Sequence, residues 1–186
     1  TCNSTEPADV VPDLNGRWAL QTDVSRYVPK TGLTAPFYTR TLSLLLVDQT
    51  QTGSDVTLDA TYCDQYAEDP DALAHVVIPD LYKQSINPFV RQGTFTRGSL
   101  DRDILALPSH TEVQGAKLTD PSSDPLPTEA TDPSLFDQDG DGNPGVTIKL
   151  SGITSGDLYV VQRQTSELAG VAVTADRIEG RYDFTT

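Results

Sequence analysis

The sequence predicts an all-β domain of about eight to ten strands, mostly joined to their neighbours in the chain and closed as an antiparallel barrel or folded as a β-sandwich. Three observations predict it. Threonine occurs 23 times, and 13 glycines with 13 prolines punctuate the 186 residues; the first favours strands and the others interrupt long helices. Apolar residues recur at alternate positions in several short segments, the period of a strand with one wet face. A hydrophobic content of 37% is modest but enough for a core.

Residues 1–12 read as a polar lead, and 13–186 as one β-domain. Trp18, Leu20 and Thr22 fall on one side of a first half-buried strand. A second strand runs near 41–47. After a polar turn containing Gly53, Val56, Leu58, Ala60 and Tyr62 share the face of a third, so these two form an antiparallel pair. Residues 75–78 suggest a short strand, and 79–86 one or two helical turns with Pro79 at the first position. Residues 89–96 read as a strand broken at Gly93, and 103–107 add a short one. Residues 120–145 hold five prolines and seven carboxylates with no Lys or Arg, and read as a long surface loop inserted in the sheet. Alternation resumes at Val146, Ile148 and Leu150. A turn at 152–156 leads to a strand at 158–162, and 168–174 with 177–184 form a final pair around Ala175-Asp176.

Acidic residues number 27 against 13 basic ones, for a net charge of −14. That excludes nucleic acid as a partner, since affinity for a polyanion comes mainly from Lys and Arg on phosphates, and disfavours an anionic membrane surface. No apolar run approaches the ~20 residues of a spanning helix. The first residues carry no basic start and no apolar run of a signal peptide. Of the two cysteines, Cys2 lies in a polar tether that resembles the mature end of a bacterial lipoprotein, although Thr1 precedes it. The rival reading is a Cys2–Cys63 disulfide, worth about 4 kcal/mol in the chain-entropy picture. Either reading puts the protein outside the cytoplasm, whether secreted, periplasmic or at the cell surface. Asn3-Ser4-Thr5 fits a glycosylation sequon.

Gly16-Arg17-Trp18, at the start of the first strand, resembles the G-x-W signature of lipocalins and other calycin barrels. The resemblance covers this tripeptide and the strand count; the second lipocalin signature, T-D-Y, is absent, and residues 120–145 have no counterpart. It implies that Trp18 closes one barrel end and packs against an Arg of the last strand pair, Arg177 or Arg181, as guanidinium on indole.

Asp137-Gln138-Asp139-Gly140-Asp141-Gly142-Asn143 resembles the D-x-D-x-D-G calcium loops of thrombospondin type 3 repeats, dockerins and EF-hands. Calcium takes six to eight hard oxygens, and carboxylates at i, i+2 and i+4 of a curled loop converge on one centre. Asp137, Asp139, Asp141 and Asn143 are the candidate ligands. The loop is not an EF-hand, since Ile148 stands where that loop places its bidentate Glu. Gly140-x-Gly142-x-x-Gly145 matches the spacing of a dinucleotide fingerprint but lacks the preceding strand and following helix, and its aspartates repel a pyrophosphate. Neither G-x-S-x-G nor H-E-x-x-H occurs, and no catalytic residue is assigned. His75 and His110, 35 positions apart, are candidate bases or a metal pair, and Arg163 is placed either to meet an acidic ligand inside a barrel or in solvent. The expectation is an exported calcium-stabilised β-domain, more binding or structural module than enzyme, its partner an unidentified protein. The alternatives are a lipocalin-like carrier of a small apolar ligand and a secreted hydrolase. A carrier needs a cavity of ~300 Å³ or more.

Overall fold

The computed structural model describes residues 12–29, 37–69, 72–98 and 102–186. Ten strands and one helix follow in chain order: β1 (Gly16–Val28), β2 (Phe37–Thr52), β3 (Asp55–Glu68), β4 (Ala74–Val77), α1 (Asp80–Ser85), β5 (Phe89–Arg97), β6 (Asp103–Gln114), β7 (Val146–Gly152), β8 (Gly156–Val160), β9 (Gln162–Thr174) and β10 (Arg177–Thr185).

Seven strands form a nearly closed antiparallel barrel in the order β1-β2-β3-β5-β6-β9-β10, and β4-β7-β8 form a separate sheet. The all-β expectation holds, as does the antiparallel pairing of the second and third strands. The ten strands do not share one barrel. The segment read as a strand at 158–162 divides at Val161, its first part pairing with β7 and its second with β6.

The core is the inward face of the barrel strands: Leu45, Val47, Val56, Leu58, Ala60, Phe95, Leu105 and Leu107, with Leu14, just before β1, buried among them. Gly93 does not break β5. The strand runs through it, passing from its β3 partners to its β6 partners, and a Cβ there would stand 2.2 Å from the Ala106 carbonyl oxygen. Glycine is what lets β6 cross so close.

Cys63 corrects the disulfide expectation: it is a free, exposed thiol. Leu45 pairs with Tyr62 and Leu44 with Asp64, so Cys63 is the extra residue of a β-bulge on the barrel's outer surface. Cys2, with its lipoprotein reading, lies outside the described residues.

Candidate functional site

The loop after Phe136 is built by its own aspartates. Asp137 Oδ1 accepts the backbone N–H of Gly140 at 2.7 Å and of Asp141 at 3.1 Å, and its Oδ2 accepts that of Gly142 at 2.8 Å. This curl needs left-handed backbone at Gly140 (φ 71°) and Gly142 (φ 93°), which glycine adopts without steric cost. Asp141 Oδ1 accepts the N–H of Asn143, and its Oδ2 accepts the Thr147 hydroxyl at 2.5 Å. These bonds hold the Asp141 carboxyl below its ordinary pKa, the Thr147 hydroxyl contributing most. Asp139 Oδ2 accepts the Thr147 N–H at 2.7 Å, tying the loop to the start of β7.

Ligand oxygens of Asp137, Asp139 and Asp141 lie within 4.8 Å of one another. Asp139 is 7% exposed, and its Oδ1 is buried with no hydrogen-bond partner. A buried ionised oxygen without a donor is costly, and a cation among the three carboxylates would satisfy it. The residues therefore fit a hard divalent ion: three carboxylates, with Asn143 beside them.

The insertion is anchored at several points. Arg163 on β9 donates to the backbone carbonyls of Pro121 and Asp124, so it serves the loop rather than the barrel interior. Gln138 accepts the Gly115 N–H at 2.7 Å and donates to the Ser85 carbonyl at 3.1 Å, linking the ends of β6 and α1. Lys117 lies over the Phe136 ring, 4.6 Å from its centroid.

Inside the barrel lies a polar cluster that sequence reasoning missed. Arg91 is buried, and one guanidinium nitrogen donates to the carbonyls of Pro108 at 2.6 Å, Ser166 at 3.2 Å and Leu107 at 3.4 Å. The cause is Pro108, which has no N–H and sits where the β6–β9 register slips between Leu107 and His110. Burial pushes the Arg91 pKa down, partly offset by nearby Tyr182 and Glu112. Glu112 is pushed up by burial, opposed by His110, whose Nε2 is 3.5 Å from the carboxylate. His110 stacks on Phe89. His75 is elsewhere, on β4, bonded through Nδ1 to the buried Asp69 at 3.0 Å. The two histidines belong to different sheets and do not form a metal pair.

Trp18 is half-buried beside the core, and its indole N–H donates to the Leu14 carbonyl at 3.0 Å. It lines one cavity of about 330 Å³ together with Arg177 and Arg181. Both arginines are exposed and ion-paired along their own strand, Arg177 to Glu179 and Arg181 to Asp183. Comparison with known proteins found no family model, curated relative or solved structure that matches this chain.

Proposed function

We propose that this is an exported β-barrel module whose acidic insertion is set by one calcium ion and which acts by binding rather than by catalysis. The observation that carries the reading is the buried, unpartnered Oδ1 of Asp139 between Asp137 and Asp141. Its other oxygen holds the start of β7, so an ion there would order both the loop and the small sheet. Binding rather than catalysis is favoured by the separation of the two histidines and by the use of Arg91 on backbone carbonyls.

Calorimetry and thermal melting test the metal. Calcium at a hundredfold excess over Kd stabilises by about 2.7 kcal/mol, which for a chain of this size raises Tm by roughly 5–10 °C. Asp139→Asn keeps an acceptor for the Thr147 N–H but loses a charged ligand. It should weaken calcium at least about tenfold and, because it removes a buried charge that lacks a donor, leave Tm in EDTA unchanged or higher. No heat of binding up to millimolar calcium defeats the reading.

A second reading, a carrier of a small apolar molecule, is favoured by the size of the cavity at Trp18. A fluorescent apolar probe that binds with one-to-one stoichiometry and quenches Trp18 would support it.

A further inference from the structure

At the end of the barrel away from Trp18 lies a second cavity, of about 210 Å³. Its barrel wall is largely polar, with Ser43, Gln65, Gln162, Gln164 and Tyr182. The opposite wall is apolar, made by Val76 and Ile148 of the small sheet and by Ile78 just after β4. In a chain with 22% charged residues, no charged side chain lines this cavity among the described residues. On β3 the bulge at Cys63 is the reason. Up to it Leu58, Ala60 and Tyr62 face inward; beyond it the inward residues are Gln65 and Ala67. An unbroken period of two would turn Asp64 and Tyr66 inward instead. Asp64 stays outside, paired with Lys83 at 3.0 Å. Bulges re-aim side chains in this way beside active sites. The glutamines are held by their nitrogens. Gln65 Nε2 donates to Ser43 Oγ at 3.1 Å, Gln162 Nε2 to Gln114 Oε1 at 2.7 Å and Gln164 Nε2 to the Tyr182 hydroxyl at 2.9 Å. Gln65 Oε1 is buried with no partner.

We propose that this cavity binds one neutral sugar ring, with its hydroxyls toward the glutamines and its C–H face against the small sheet. The volume lies between the ~150 Å³ that holds benzene and the ~300 Å³ at which pockets for drug-sized ligands begin, the range of a single substituted ring. Neither an anion nor a cation meets an opposite charge in the lining, so each would lose its hydration uncompensated. Glutamines anchored by their nitrogens leave carbonyl oxygens to offer, which ask for a neutral donor. A hydroxyl supplies one and also accepts from the Tyr and Ser hydroxyls. A wholly apolar molecule would fit the small sheet but leave the polar wall without partners. Water would serve the polar wall and gain nothing from Val76, Ile78 and Ile148. A sugar ring carries both surfaces at once. The inference rests on the reading of the domain as a binding module, and it concerns a different cavity from the one at Trp18.

The probes are the methyl glycosides of glucose, galactose and mannose, titrated into the whole chain and followed by NMR at the side-chain amides of Gln65, Gln162 and Gln164. The expected result is a saturable shift of these amides by at least one glycoside at millimolar concentration, with the indole N–H of Trp18, the only tryptophan, as the control in the other cavity. Cyclohexanol, a ring of the same size with one hydroxyl, should bind at least about tenfold weaker. Glucosamine should also bind more weakly, although the net charge of −14 favours its ammonium. Gln65→Met keeps the side-chain length and removes the amide, and should weaken the glycoside at least about fivefold. Should that variant not fold, the cyclohexanol and glucosamine comparisons decide on the unaltered chain. No saturable shift from any of the glycosides into the tens of millimolar overturns the proposal. So does equal binding of cyclohexanol or glucosamine, undiminished binding by folded Gln65→Met, or a response centred on Trp18 instead. The titration is run with calcium and with EDTA. Calcium binding without glycoside binding removes this inference alone, and glycoside binding without calcium affinity removes the metal reading alone.

Discussion

Arg91 shows how one backbone defect recruits a charge. Pro108 in mid-strand removes an N–H and lets the register slip, leaving carbonyls on both strands that face inward without a ladder partner. The guanidinium of β5 reaches three of them. Arg91→Met keeps the buried length and strips the donors. It is expected to cost about 2 kcal/mol in urea unfolding, with Arg91→Lys only partly restoring it because an ammonium lacks the fork. Glu112 carries the opposite balance. Its folded pKa is raised by burial, so the folded state holds its proton more tightly than the unfolded state does. Stability is unpenalised below the ordinary Glu pKa and falls as pH rises through the raised folded value. Glu112→Gln is therefore expected to raise Tm at pH 7 and to leave it unchanged near pH 4. A melting series across that range checks the sign.

Among the elements, the insertion at 120–145 is the one with the least regular structure and the most specific anchors. Its aspartates satisfy its own amides, and Arg163 fastens its first half to β9 through two backbone carbonyls. Arg163→Ala should free that half without disturbing the barrel. Limited proteolysis would then cut near 121–125 several-fold faster, at unchanged circular dichroism. Sequence alternation was a good guide to which residues form strands, because burial of one face writes a period of two into β1, β3 and β7. It was a poor guide to partners. Val146, Ile148 and Leu150 alternate as a barrel strand would, yet they pair with β4 and β8, since periodicity encodes a face and not a neighbour. The same logic hid Arg91. It shares a face with Phe89 and Phe95, and only the slip at Pro108 explains a cation there.

For the whole molecule, the antiparallel all-β order was legible because each hairpin is local, whereas barrel against sandwich was not, because that depends on how the last strand lies relative to the first. The acidic loop was legible as a cluster from spacing alone. Its attachment to β7 through Thr147 was not, since that bond depends on how the chain leaves the loop. The ladder from β6 to β9 carries a kinetic consequence. Gln114 and Gln162 face one another 48 residues apart in sequence, and closing a flexible loop of that length costs about 3 kcal/mol of chain entropy before any contact repays it. The β1–β2, β2–β3, β5–β6 and β9–β10 pairs are hairpins that form early from near neighbours. Joining the five-strand meander to the terminal hairpin is therefore expected to be the slow event of folding. An ordered 120–145 segment shortens the effective loop at that step, so whatever orders it changes the rate at which the barrel assembles as well as its stability.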